Sequence, residues 1–258
     1  MSVHAIYADD ELAALYDLFY YDYDDDVDMH EQFARRADTA SLEVGAGTGR
    51  LAVRLMERGL DVVALDSAPA MLRRLRARLG GAHADRLRVA EGDVRAFDLG
   101  ERFDVIHCAA NTFQHLLTRD DQLAALRCIA RHLRPGGVFV AKLASVASVD
   151  WGGTDGALRL RDTRVDPQTG EAVMRFDAAR AIANELRLDR TFVYDRLMAD
   201  GTLRRRVAET SLRYMAASEL QALVEASGLR LAQLYGTYEL SPFSEDSDTM
   251  IAVAELPS

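Results

Sequence analysis

The sequence predicts a doubly wound α/β fold carrying an inserted antiparallel β segment. Three observations predict it. Strand-like and helix-like segments alternate from residue 41 onward, a glycine-rich turn separates the first strand from the helix after it, and the alternation breaks between about 155 and 215. Such alternation implies a parallel sheet with helices on both faces. At 258 residues the chain has room for one core, which stops growing only near about 250–300 residues, plus an accessory segment.

Residues 7–37 mix apolar and acidic positions, with Leu12, Leu15, Tyr16 and Phe19 at helical spacing and then Tyr20, Tyr21 and Tyr23 among aspartates, which reads as one or two helices ending in an aromatic, acidic junction. SLEVGAG and DVVALD read as the first two strands, each followed by a helix. RLRVAEGD is a third strand and FDVIHCAANT a fourth. DQLAALRCIARHL is a helix, and VFVAKL, after the Pro135-Gly136-Gly137 turn, is a fifth strand. The segments ALRLRDTRV, AVMRFDA, RTFVYDRLM and LRRRVAETSLRYM, separated by Pro167, Gly170 and Asp200-Gly201, read as antiparallel hairpins. SELQALVEASG reads as a helix with Ser218 as N-cap and Gly228 at its end. Two closing strands, RLAQLYGTY and TMIAVAEL, complete the count of seven. The expected organisation is an N-terminal helical cap over 1–40, a main domain from 41–144 and 217–258, and the inserted segment over 145–216.

Composition narrows the function. A net charge of −10 opposes the phosphate backbone, so no nucleic-acid partner is expected. No apolar run approaches the roughly 18 residues of a membrane helix. The N-terminal stretch lacks the basic and apolar regions of a secretory signal, which points to the cytoplasm. Cys108 and Cys128 lack CxxC spacing and read as reduced core thiols. The aspartates at 22, 24, 25, 26 and 28 read as a solvated charge run.

The informative motif is Leu42-Glu43-Val44-Gly45-Ala46-Gly47-Thr48-Gly49-Arg50. Its glycines let the backbone turn sharply and let a ligand approach closely. The spacing is GxGxG, with Arg50 where a dinucleotide-binding GxGxxG would have its last glycine, which points away from NAD. Asp66, ending the second strand, stands where a carboxylate can accept both hydroxyl hydrogens of a ribose. Asp93, ending the third, could accept from the exocyclic amine of an adenine while the Val94 amide donates to the ring. These strand ends converge on one crevice, as in open α/β sheets generally.

These residues, together with the Arg134-Pro135-Gly136-Gly137 turn, resemble the class I S-adenosylmethionine (SAM)-dependent methyltransferases and, within them, small-molecule N-methyltransferases acting on amino sugars. The resemblance implies a seven-stranded Rossmann-like methyltransferase sheet, and SAM as cofactor. It implies that Gly45, Ala46, Gly47 and Gly49 wrap the methionine portion, with Glu43 near its ammonium. Asp66 and Ser67 would hold the ribose, and Asp93 and Val94 the adenine. Asn111, Tyr20 and Tyr21 are further expected cofactor contacts.

Methyl transfer is an in-line displacement that needs alignment of the nucleophile and exclusion of water. The loop Asn111-Thr112-Phe113-Gln114-His115 leaves the same sheet edge, and His115 is the candidate base because histidine titrates near neutrality. The resemblance adds a tyrosine from the N-terminal helix, matched to Tyr16. The expected reaction is methylation of a nitrogen or oxygen of a small molecule, with a homodimer through the inserted segment and no metal. A macromolecule methyltransferase is the alternative, although a basic face and an Asn- or Asp-Pro-Pro-aromatic motif after the fourth strand are both missing. A protein using SAM for chemistry other than methyl transfer is another.

Overall fold

The computed structural model describes residues 7, 9–80, 84–152 and 154–257. The first six residues and residue 8 of the expected N-terminal cap lie outside the described residues, as does the last residue of the main domain. Two helices open the fold, α1 (Asp10–Tyr20) and α2 (Val27–Ala34). Asp9 caps α1 by accepting from the Leu12 amide at 2.9 Å.

The alternating region forms β1 (Ser41–Val44), α3 (Arg50–Glu57), β2 (Val62–Asp66), α4 (Pro69–Arg78), β3 (Leu87–Glu91), β4 (Phe103–Cys108), α5 (Arg119–His132) and β5 (Leu133–Ala144). An antiparallel group follows, β6 (Arg159–Val165), β7 (Ala172–Ile182), β8 (Arg187–Leu197) and β9 (Leu203–Arg213). The chain closes with α6 (Ala217–Ala226), β10 (Arg230–Tyr235) and β11 (Thr249–Glu255).

The main sheet has seven strands in the order β10-β11-β5-β4-β1-β2-β3. β3, β2, β1, β4 and β5 run parallel, and β11 is antiparallel to both β5 and β10. The order reverses between β1 and β4, which places the ligand crevice at the C-terminal ends of these strands. Helix α5 and α6 bury Leu126, Ile129, Leu220 and Leu223 against one face, while α3 buries Leu51, Leu55 and Met56 on the other.

Strands β6 to β9 make a separate four-stranded antiparallel sheet. Helix α1 bridges the two sheets. Its Leu12, Leu15 and Phe19 pack with Val173, Phe192 and Tyr194 of the second sheet, and Ala13 packs with Ala68, Ala70 and Met71 of the main domain. Ion pairs follow the same division. Glu11 meets Arg204 at 3.0 Å on one side, and Asp17 meets Arg78 at 2.7 Å on the other.

Three sequence expectations need correction. Ser218 is not the N-cap of α6: Ala216 takes that place in extended conformation, without a side-chain cap bond. The turn starts early because Tyr214 and Met215 are already buried, leaving Ser218 inside the first turn. The acidic run is not uniformly solvated, since Asp26 is fully buried against Arg50. The Pro135-Gly136-Gly137 turn does not precede β5 but interrupts it: Gly136 holds φ of +76°, and the register to β4 skips from Leu133 to Val138.

Candidate cofactor and acceptor site

The glycine turn is tied to β2 before any ligand is considered. The Gly45 and Ala46 amides both donate to the Leu65 carbonyl, at 2.8 and 3.0 Å. The Gly47 amide donates to Asp66 Oδ2 at 2.8 Å, and the Ala68 amide to Asp66 Oδ1, also at 2.8 Å. The Ser67 amide also donates to this carboxylate, which leaves about one of its four lone-pair sites for a ligand. Burial raises the Asp66 pKa against these amide bonds.

Gly45 and Gly47 hold φ of +70° and +57°, a region costly for residues with a Cβ. A Cβ on Gly45 would stand 2.1 Å from Thr112 Cγ2, whereas one on Gly47 would meet nothing within 4 Å. The loop after β4 thus closes tightly on the first glycine, and the backbone at the second faces open space.

That space is a cavity of about 170 Å³. Of the residues expected from sequence, Gly45, Gly47, Asp66, Ser67, Asp93, Val94, Tyr16 and His115 line it. Asp93 is gripped by Arg95, whose backbone amide and guanidinium both donate to it, the closest at 2.6 Å. That pairing lowers the Asp93 pKa, so it is an acceptor at neutral pH.

The other expected residues are not in the cavity wall. The Ala46 amide is spent on Leu65, and Gly49 turns into α3 against Leu75. Glu43 is buried with Oε2 unbonded. It accepts from the Ala52 amide in the first turn of α3, and burial pushes its pKa up to about 8. Asn111 accepts from Lys142 Nζ at 2.9 Å. Tyr20 lies beside the Tyr16 ring and the Arg175 guanidinium, and Tyr21 lies under Arg78 and Arg54.

His115 ends a 3₁₀ turn over Thr112–His115. The turn is pinned by Gln114, fully buried, whose side-chain amide donates to the Ala144 carbonyl at 3.2 Å and accepts from its amide at 2.8 Å. The imidazole is held at both nitrogens. Nδ1 lies 3.2 Å from Thr210 Oγ1 on β9, and Nε2 lies 3.1 Å from the Tyr7 hydroxyl. Tyr7 and Tyr16 also line the cavity, with ring centroids 5.8 Å apart. Burial raises the Tyr7 pKa and pushes that of Tyr16 up to about 12, so both hydroxyls remain protonated donors at neutral pH.

Sequence reasoning missed Tyr7. It stands alone ahead of α1 with no periodic partner, and its role is visible only once the second sheet and the His115 turn meet. It also missed Arg50 as an anchor. Its guanidinium forms a bidentate pair with Asp26, 2.6 Å in each arm, and donates to the Tyr23 carbonyl at 3.0 Å. The charge pattern could have found it, because an arginine beginning an otherwise buried helix needs a carboxylate partner.

The Methyltransferase domain family matches residues 42–137. A cypemycin N-terminal methyltransferase from Streptomyces sp is 26% identical over 227 residues, covering 83% of this chain and 82% of that protein. A dTDP-4-amino-2,3,4,6-tetradeoxy-D-glucose N,N-dimethyltransferase from Saccharopolyspora spinosa is 39% identical over 99 residues, 38% of each chain. The SAM-bound structure of CalS10, an amino pentose methyltransferase from Micromonospora echinaspora, is 27% identical with a TM-score of 0.65, covering 88% of this chain and 87% of that one. Residues 42–137 are a methyltransferase domain, and the chain is a SAM-dependent methyltransferase.

The cavity fits that cofactor on its own chemistry. A glycine backbone open to close approach, a buried carboxylate with a lone pair to spare and an anionic Asp93 beside the Val94 amide all border one space. No helix among the described residues is long and apolar enough to cross a membrane.

Proposed function

We propose that this methyltransferase alkylates the amine nitrogen of a small natural-product acceptor, an amino sugar or a short peptide, with His115 accepting the proton that the nitrogen must lose. The observation that carries the reading is the position of His115 Nε2, in the wall of the same cavity as Gly47 and Asp66 and within hydrogen-bond reach of one hydroxyl donor. The character of the relatives as N-methyltransferases supports nitrogen over oxygen.

In this reading Asp66 accepts from a ribose hydroxyl, Asp93 and Val94 recognise the adenine edge, and Gly45 and Gly47 let the methionine portion lie on the backbone. SAM, when bound, supplies an electrophilic sulfonium methyl group. Thr210 orients His115 through Nδ1, which leaves Nε2 to face the acceptor. Tyr7 and Tyr16 flank the acceptor and exclude water, and the Tyr7 hydroxyl yields its place on Nε2 to the incoming amine. Glu43 acts behind the turn, holding the start of α3.

The second sheet covers the acceptor, and its outer face is the surface for a homodimer. Leu160, Val165, Leu197, Leu203 and Val207 are exposed there, on positions that register as one face of the sheet. A cytoplasmic location suits the two buried, unbridged thiols.

The test is mass spectrometry of the products after incubation with SAM and a panel of nucleotide-linked amino sugars, short peptides with free N-termini and phenols. Methyl gain on amines but not phenols is expected. His115→Gln should lower turnover on the productive acceptor by about 10²–10⁴-fold with SAM affinity unchanged, and turnover equal to wild type would remove His115 from the chemistry.

A further inference from the structure

A second cavity, of about 350 Å³, lies on the inner face of the second sheet and is lined by Arg159, Arg161 and Arg190 together with Asp150 and Asp177. Its remaining wall is mostly small or apolar, including Val149, Ala179, Leu188 and the Tyr214 ring. In a chain whose net charge is −10, three arginines converge here from β6 and β8; Arg159 is paired with Asp155 at 2.8 Å, which leaves Arg161 and Arg190, sharing Asp177, to face the cup.

Asp177 does not cancel them. It is 5% exposed, and three guanidiniums crowd it: Arg175 at 3.1 Å, Arg190 at 3.4 Å and Arg161 at 3.9 Å. One carboxylate cannot satisfy fifteen N–H donors, because each guanidinium carries five. Arg161 remains half exposed and Arg190 about a third exposed, so both hold donors toward the cup. Planar guanidiniums in this state are suited to phosphate and carboxylate oxygens.

The cup lies on the face of the second sheet that also meets His115. Arg190 is the direct cross-strand partner of Thr210, and Ala179 is the partner of Arg190 on β7. Their side chains share the face from which Thr210 reaches His115 Nδ1. From Thr210 on β9 to the β7 side of the cup is two strand spacings, about 10 Å.

We propose that this arginine cup is an acceptor subsite that binds an anionic group, phosphate or carboxylate, carried on the acceptor at a distance from the nitrogen that is methylated. The proposal rests on the small-molecule reading above and narrows it to acceptors with a remote anion. A free amino acid, whose carboxylate adjoins its amine, does not span the distance.

The experiment is calorimetric titration of the full chain with inorganic pyrophosphate and, separately, glutarate, repeated on Arg161→Gln, Arg190→Gln and, as a control on the far edge of the main sheet, Arg88→Gln. Binding of at least one anion is expected, with the dissociation constant rising at least tenfold in both cup variants and unchanged in the control. Preference for pyrophosphate assigns a phosphorylated acceptor, and preference for glutarate a carboxylated one. Failure of both anions to bind, or wild-type binding in both cup variants, overturns the proposal. SAM affinity, measured in the same samples, should be unaltered by either cup variant; its absence from wild type would count against the methyltransferase reading and leave the anion result legible.

Discussion

Replacing Asp26 should damage both the fold and the cofactor site, because the Asp26–Arg50 pair fastens α2 to the helix that follows the glycine turn. Asp26 is fully buried and the Arg50 side chain is 9% exposed. Burial opposes the charge on Arg50, yet its pairing with Asp26 raises the pKa above the ordinary arginine value. In Asp26→Ala the guanidinium would stay buried with only the Tyr23 carbonyl of its present acceptors. A buried ion pair broken from one side costs about 3–5 kcal/mol, whereas removing both charges together is often neutral or stabilising. Urea denaturation at neutral pH should therefore show Asp26→Ala destabilised by about 3–5 kcal/mol and Asp26→Leu/Arg50→Leu within about 1 kcal/mol of wild type, or above it. The single variant should also bind SAM more weakly, since Arg50 directly follows Gly49. A loss under about 1 kcal/mol in the single variant, or a double variant worse than the single, would mean that the buried pair does not fasten the two helices.

Glu43 makes stability pH-dependent. Its folded pKa is raised from 4.5 to about 8, so the folded state holds a proton that the unfolded chain releases. The associated stability is full below about pH 4.5 and is lost as pH rises through about 8, at up to about 1.4 kcal/mol per pH unit. Glu43→Gln keeps an acceptor for the Ala52 amide, and its stability relative to wild type should climb across that window in denaturant titrations; a flat difference curve would mean Glu43 is ionised in the fold. The two glycines should separate by mechanism. Gly47→Ala should cost about 1–2 kcal/mol from its left-handed backbone and abolish SAM binding by placing a methyl in the cavity, while Gly45→Ala should cost more, because its Cβ collides with Thr112. Equal melting temperatures for the two variants would contradict this.

The main sheet was legible in the sequence because its strands are near-continuous apolar runs and its turns carry glycines at fixed offsets. Asp66 and Asp93 were legible because strand ends in such sheets converge on one crevice. The second sheet was legible as hairpins from turn residues, but not its contacts. Which strand meets His115 depends on cross-strand register, so Thr210 and the arginine cup had no linear signature. The buried pair His30 and His107, Nδ1 to Nδ1 at 3.1 Å, was equally invisible: its partners lie on α2 and β4, and neither belongs to a motif. Glu43 shows the converse. Its place in the motif suggested a ligand contact, and what the motif did not show is its burial beside the first turn of α3.

The most direct test of the central claim is calorimetric titration of wild type and Asp66→Ala with SAM. Wild type should bind, and the variant should bind more weakly by about 1.5–3 kcal/mol, the worth of hydrogen bonds to a charged acceptor. Equal affinity in the two proteins, or no binding to wild type, would contradict the assignment of this cavity to the cofactor.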